Sequence, residues 1–160
     1  LIMDKRKLFS TIAIPLIGGS LVGYFATRKA KKKYRKLDTP DVAPPNWVFP
    51  VAWTTLYTTM GFAKYDFDRK NESPSLQNQT NIAYSTQLGL NFLWSFLFFR
   101  WNLRGAALAE ATLLWSAIAV TTYHFSKKSK LAASLMIPYI LWTSYALFLN
   151  YKTWEMNRGL

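Results

Sequence analysis

The sequence contains no cysteine, one histidine and few acidic residues, and each shortage excludes a class of function. Without cysteine, the chain has no disulfide scaffold, no thiolate metal site and no cysteine nucleophile. The single histidine, His124, argues against a histidine-rich metal site and against a Ser-His-Asp triad. Only 8 Asp and Glu accompany 20 Lys and Arg, so the net charge is +12. That balance indicates an anionic partner, such as nucleic acid, a lipid surface or an acidic ligand.

Apolar and aromatic residues are abundant instead. They make up 51% and 17% of the 160 residues, although the mean hydropathy is only +0.01. This average hides five stretches that carry almost no charge, at 8–27, 42–63, 73–99, 105–126 and 131–151. A helix needs about 20 residues to cross the hydrocarbon core of a bilayer, and each stretch is long enough. The apolar runs are continuous rather than alternating, which excludes a membrane β-barrel and disfavours a soluble helical bundle.

The sequence therefore predicts an all-α protein, an integral membrane bundle of five transmembrane helices that forms one domain over residues 1–160. The spans are expected at about 8–27, 46–65, 79–99, 105–126 and 131–151, and a basic first loop at about 28–45. The distribution of Lys and Arg around the first helix places the first loop and the C-terminus in the cytoplasm. The basic half of this loop either contacts anionic lipid or acts only as a topology signal. No fold signature supports nucleic-acid binding.

Two spans carry polar or aromatic side chains on one helical face. Trp53 and Tyr57 are four residues apart in the second span, and Gln87 and Asn91 are four apart in the third, with Trp94 beside them. Amides in a membrane span must find partners inside the protein, because lipid offers none. Two interpretations remain open for them. They form hydrogen bonds between helices, or they line a cavity and offer donors to a ligand.

Other residues within the spans also need an explanation. Trp142 lies in the middle of the fifth span, where an interfacial aromatic belt does not account for it. Glu110 is the one acid in a span, close to a helix start, and we expect it to form a structural hydrogen bond. Gly19 and Gly23 form a GxxxG pattern in the first span, which serves packing within the bundle or a dimer.

The chain contains five notable blocks: APPNWVFPVAWTTLYTTMGFA at 43–63, QLGLN at 87–91 with Trp94, GAALAE at 105–110, IPYILW at 137–142 and LNY at 149–151. In this order the blocks resemble the translocator protein family, also called the peripheral-type benzodiazepine receptor family. Its bacterial members are known as tryptophan-rich sensory proteins. Tyr34, Leu37 and Pro40 also fit the family pattern Y-x-x-L-x-x-P that precedes the double proline.

The resemblance implies a five-helix transmembrane bundle, often dimeric, that acts as a receptor, sensor or carrier. Its pocket, open toward the first loop, would bind porphyrins, sterols or synthetic benzodiazepine-type ligands. The residues implied to bind ligand are Tyr34, Trp53, Asn91, Trp94, Trp142 and Ala146, and the helical faces described above add Tyr57 and Gln87. Some bacterial members degrade protoporphyrin in light, and the tryptophans implicated match Trp53 and Trp142. The alternative function is therefore an enzyme in which these two residues are catalytic.

The chain also departs from the family pattern. The cholesterol motif expected at the end of the fifth span is not met, because Lys152 directly follows Tyr151 and Arg158 is one residue too far away. The glycine pair that supports dimers of some members is absent, and Ser85 and Gly89 provide an offset pair of small residues for a homodimer. We expect no metal and no resident cofactor, with porphyrin as ligand or substrate. The APPNWVFPVAW form favours a bacterial cell membrane and leaves the mitochondrial outer membrane open. A third hypothesis is a structural or stress-signalling membrane protein with an incidental pocket.

Overall fold

The computed structural model describes residues 4–27, 47–101 and 103–157, and within these ranges the secondary structure is helical. In chain order the α-helices are α1 Lys5–Thr27, α2 Val48–Lys70, α3 Pro74–Ser95, α4 Arg104–Ser126, α5 Lys130–Leu135 and α6 Ile137–Met156. A π-helical turn, Phe96–Arg100, continues α3. Only Met136 separates α5 from α6, so the two form one long segment. The described chain is therefore an all-α bundle of five long helical segments, as the sequence predicts.

Three of the five segments are long and apolar enough to cross a membrane. They are Lys5–Ala26, Arg104–Ser126 and Lys130–Met156. The other two, α2 and α3, are more polar because they carry the amides, the hydroxyls and a group of charged residues. These helices also extend beyond the spans expected from the sequence, since α2 continues to Lys70 and α3 begins at Pro74. The fold thus consists of membrane-length helices, two of which direct polar groups inward.

Hydroxyl and carboxylate side chains begin three of the helices. Asp4 accepts hydrogen bonds from the backbone N–H groups of Arg6 and Lys7 at the start of α1. Ser73 accepts from Leu76 N at 3.2 Å and is followed by Pro74, which lacks the N–H that the first turn leaves unused. Ser129 caps α5 through Ala132 N at 2.9 Å. These caps satisfy donors that would otherwise have no partner at the helix starts.

Glycine allows α1 to pack closely on α2, its principal neighbour. A Cβ atom on Gly61 would lie 2.7 Å from Ile12 Cα, and one on Gly19 would overlap the Tyr57 ring. A Cβ on Gly23 would meet nothing within 4 Å. The first glycine of the GxxxG pattern therefore serves packing within the bundle, whereas the second faces open space.

The remaining helices surround a mixed core. α3 packs mainly on α4, α4 also packs on α6, and α5 fits between α2 and α4. Residues with almost no exposed surface, including Met60, Ile118 and Tyr139, lie at the centre of the main hydrophobic cluster. The backbones of α2 and α6 approach each other at few points. Large aromatic rings fill the space between these two helices, and the candidate site lies among them.

A buried ionic cluster holds together the end of the bundle opposite that site. Asp66, which is fully buried, pairs with Arg69 and Lys70 of its own helix at 2.9 Å and 2.8 Å. It also accepts a hydrogen bond from Ser129, the residue that caps α5. Burial by itself would raise the pKa of Asp66, but hydrogen bonds from Lys70, Ser129 and Arg69 outweigh burial and lower it. Asp66 therefore stays ionised and joins α2 to the start of α5.

The outer surface carries large apolar side chains that suit contact with lipid. Ile14, Ile17 and Leu21 of α1 are more than half exposed, and so is Ile82 of α3. The small pair expected at a dimer interface also lies on this surface. Ser85 and Gly89 are exposed, and a Cβ on Gly89 would meet nothing within 4 Å.

Candidate functional site

An aromatic cavity lies between α2, the end of α3 and α6. Its lining consists of Phe49, Trp53, Trp94, Phe98, Phe99, Trp142, Ala146, Leu149 and Asn150. Its volume is about 10 Å³, at the lower limit of what one bound water molecule needs. The cavity lies at the end of the bundle where α2 begins. In this conformation the aromatic side chains themselves fill the site.

Trp53 is the centre of the aromatic contacts. Its ring stacks on Tyr57 at 5.7 Å between centroids with an interplanar angle of 27°. It meets the edge of Trp142 at 6.2 Å and 90°, and that of Tyr139 at 6.4 Å and 79°. Edge-to-face pairs of this kind are favourable and fix the orientation of both rings. The helical spacing of Trp53 and Tyr57 thus produces a shared face, as expected, and Trp142 of α6 completes it.

Trp94 is held in place by ring contacts with Phe98 and Phe99 and by its indole N–H. Its ring lies parallel to Phe98 at 5.0 Å, and its Nε1 donates to Asn150 Oδ1 at 2.9 Å. Asn150 Nδ2 in turn donates to the backbone oxygen of Arg104 at 3.0 Å. The π-helical turn adds one residue to the helical register, which changes the direction of the side chains that follow Trp94. Phe98 and Phe99 consequently both line the cavity.

A chain of hydrogen bonds crosses the bundle next to the aromatic rings. Tyr57 Oη donates to Asn91 Oδ1 at 2.6 Å, and Asn91 Nδ2 donates to Tyr139 Oη at 2.7 Å. Tyr139 Oη donates to Gln87 Oε1 at 2.7 Å, and Gln87 Nε2 contacts Met60 Sδ at 3.6 Å. Gln87 and Tyr139 are fully buried and Asn91 is 2% exposed. The amides thus find partners inside the protein, which explains how an apolar bundle tolerates them.

The residues predicted to bind ligand divide into two groups. Trp53, Trp94, Trp142 and Ala146 line the cavity. Tyr57, Gln87 and Asn91 belong to the hydrogen-bonded network, which adjoins the cavity through the ring of Trp53. Tyr34 lies outside the described residues. The structure therefore brings the three tryptophans to one place and separates them from the two amides.

Some buried polar atoms in the described part of the chain have no hydrogen-bond partner. One is the indole Nε1 of Trp142, at the cavity. The two carboxyl oxygens of Glu110 also have no partner, and this side chain is only 7% exposed. The structural hydrogen bond expected for Glu110 is therefore not found among the described residues. Its neighbours on the same face of α4, Ala107, Ala111 and Leu114, are apolar and offer no partner.

Sequence reasoning misses several residues of the site. Asn150 is an amide in an apolar run, as Asn91 is, so its residue type already indicates a position inside the protein. Tyr139 is one turn before Trp142 on α6, so the same helical face could have indicated it. Phe98 and Phe99 follow a π-helical turn, and a pattern of ordinary helical spacing gives no signal for them.

Comparison with known proteins identifies the family of this chain. A family model described as TspO/MBR family matches residues 11–155. The chain is 33% identical to the translocator protein of Sus scrofa over 147 residues, which cover 91% of this chain and 87% of that protein. It is 33% identical to the tryptophan-rich protein TspO of Chlorobaculum tepidum over 159 residues, covering 97% and 99%. It is also 33% identical to the tryptophan-rich sensory protein of Cereibacter sphaeroides over 132 residues, covering 82% and 81%.

The range that the family model matches contains all the residues that line the cavity and at least part of every helical segment. The chain belongs to the TspO/MBR family of membrane proteins.

Proposed function

We propose that this protein is a membrane receptor, sensor or carrier that binds a flat, hydrophobic ring system of the porphyrin class in the aromatic cavity. The observation that carries the proposal is the convergence of Trp53, Trp94 and Trp142 on one cavity whose other walls are almost entirely apolar. Tryptophan faces suit a conjugated ring, because stacking combines a large buried area with favourable ring geometry. Membership of the family supports a membrane receptor or sensor.

Binding requires the aromatic side chains to move apart. Pockets for ligands of this size usually have volumes of about 300–1,000 Å³, whereas the cavity here has about 10 Å³. The rings would separate where α2 and α6 are joined by ring contacts rather than by close backbone packing. A bound porphyrin would then replace contacts between tryptophans with contacts between tryptophan and ligand.

A porphyrin titration that follows tryptophan fluorescence tests the proposal. We expect saturable quenching at micromolar protoporphyrin, reduced in Trp53→Phe and in Trp142→Phe. Trp115→Phe is the matched control, because Trp115 Nε1 donates to Ser144 and its ring does not line the cavity. No quenching of the wild-type protein would reject the proposal and favour a structural or stress-signalling role.

A second candidate function is the light- and oxygen-dependent degradation of protoporphyrin. The observation that favours it is the contact between Trp53 and Trp142, whose ring centroids are 6.2 Å apart at the cavity. A porphyrin inserted there would touch both indoles. Illumination of the complex in air should then bleach the porphyrin Soret band. If bleaching persists in the Trp53→Phe, Trp142→Phe double variant, these two residues are not catalytic.

We further propose that the first loop and the C-terminus face the cytoplasm. The chain has no cysteine, so single introduced cysteines report topology directly. Ser126 and Glu155 are both exposed and lie at opposite ends of the bundle. In intact cells a membrane-impermeant maleimide should label Ser126→Cys and leave Glu155→Cys unmodified. The reverse pattern would show the opposite orientation.

A further inference from the structure

The cavity offers an apolar environment for a ring but few groups for a charged substituent. Asn150 is the one lining residue with an amide, and its side chain is already bonded to Trp94 and to the backbone of Arg104. Porphyrins made in cells carry carboxylate side chains, and a carboxylate requires a cation or several donors when it leaves water. A cation in contact with the lining residues is therefore of interest.

Arg104 is not one of the lining residues, but it contacts two of them. Its guanidinium carbon lies 5.4 Å from the centroid of the Phe98 ring, and its backbone oxygen accepts the hydrogen bond from Asn150. Phe98 and Asn150 both line the cavity. The side chain is only partly exposed, so an ion pair formed there is less weakened by water and salt than one on the open surface.

The start of α4 adds to the positive potential at this point. Arg104 is the first residue of the helix, and Leu103 before it provides no side-chain cap. No acidic residue lies in the first turn of α4 within the described chain. The positive end of the helix dipole and the guanidinium group thus both belong to the start of α4, in contact with Phe98 and Asn150 of the lining.

Arg100 provides a natural comparison on the same end of the bundle. Its Nη1 donates to the backbone oxygen of Phe25 at 3.0 Å, so its side chain joins the π-helical turn to α1. It is exposed, and this hydrogen bond is to α1 rather than to a residue that lines the cavity. The two arginines therefore carry the same charge only four residues apart but have different neighbours.

We propose that Arg104 pairs with a carboxylate of the ligand and makes the cavity selective for acidic ring systems over their neutral esters. Arginine suits this role because its planar guanidinium group can donate two parallel hydrogen bonds to a carboxylate. The aromatic walls would hold the ring while Arg104 sets its orientation. This inference rests on the proposed binding function and adds the chemical class that the site selects.

The test compares protoporphyrin IX with its dimethyl ester on the full chain in lipid nanodiscs. The wild-type protein should bind the diacid more tightly than the ester. Arg104→Gln should weaken binding of the diacid by about 10- to 100-fold and leave binding of the ester nearly unchanged. Arg104→Lys, which keeps the charge without the paired donors, should show a smaller loss that is again confined to the diacid. Arg100→Gln should bind both ligands as the wild type does.

The ester also reports whether each variant is folded, since an intact aromatic cavity is sufficient to bind it. If Arg104→Gln does not fold, the comparison between wild type and Arg104→Lys decides the question. A diacid-to-ester affinity ratio that is the same in wild type and in the Arg104 variants overturns this inference and leaves the proposed function standing. Failure of the wild type to bind either ligand overturns the proposed function and this inference with it.

Discussion

Replacing Asn91 with leucine tests whether the buried polar network stabilises the bundle. Asn91 joins Tyr57 Oη at 2.6 Å to Tyr139 Oη at 2.7 Å, so three helices depend on one side chain. Leucine has a similar size but forms no hydrogen bond. Tyr139 still donates to Gln87, whereas the hydroxyl of Tyr57 loses its partner.

The loss of stability expected for Asn91→Leu follows from these contacts. A buried polar group left without a partner costs about 1–3 kcal/mol. Hydrogen bonds between membrane helices contribute about 0.6 kcal/mol on average and reach about 1.7 kcal/mol. With one hydroxyl fully stranded and one partly satisfied, we expect Asn91→Leu to reduce the free energy of unfolding by about 2–3 kcal/mol.

Unfolding in mixed micelles, followed by circular dichroism, measures this cost. Thr55→Val is the control, because Thr55 is exposed and its hydroxyl bonds only to its own helix at Val51 O. We expect that change to alter stability by less than about 0.5 kcal/mol. The double variant Asn91→Leu, Tyr57→Phe removes the stranded hydroxyl. It should therefore cost at least about 1 kcal/mol less than the sum of the single variants. Strictly additive costs would refute the reasoning.

Three further predictions concern the helix contact, the ionic cluster and the cavity. Gly61→Ala should lower the unfolding midpoint in the same assay, because the added methyl group overpacks the contact with α1, and it should reduce the free energy of unfolding by about 1–3 kcal/mol. Gly23→Ala should be neutral or stabilising, because its methyl group would enter open space. Because the pKa of Asp66 is lowered in the folded state, its stabilising effect is present above about pH 4 and is lost as the pH falls through the lowered value. Asp66→Asn should therefore destabilise the protein at pH 7, and the gap from wild type should narrow toward pH 3; an unchanged gap would contradict this. Phe99→Ala should enlarge the cavity and speed porphyrin association in stopped-flow quenching, whereas Phe96→Ala, outside the lining, should leave the rate unchanged.

The sequence is most informative where a residue type raises the free energy of an apolar span unless it finds a partner inside the protein. Gln87 and Asn91 are amides within an apolar run, and this alone places them in the interior, where the structure finds them. The same cost argument predicts a partner for Glu110, yet the described residues give it none. Spacing shows which side chains share a helical face, but the neighbour of that face on another helix depends on how the helices pack.

The ends of the helices show a second limit of what the sequence predicts. The expected spans follow the hydrophobic runs, whereas α2 continues to Lys70 because its last turns bury Asp66 in an ionic cluster. A run of charged residues ordinarily indicates the end of a membrane span. Here the charges neutralise one another within α2, so the helix continues. The hydrogen bond that Asp66 accepts from Ser129 comes from a distant segment, and such a contact leaves no pattern in a single stretch of sequence.

The sequence by itself determined that this protein is a five-helix membrane bundle, because runs of about 20 apolar residues have no other stable conformation in a bilayer. It also determined that the mid-span amides face inward, since lipid cannot satisfy an amide. Only the tertiary structure decided that Trp53, Trp94 and Trp142 share one small cavity, while Gln87 and Asn91 bond to Tyr139 beside it. The physical reason is that these groups belong to three different helices, α2, α3 and α6. The distances between them depend on how the helices pack and on the π-helical turn, which changes the direction of the side chains that follow it.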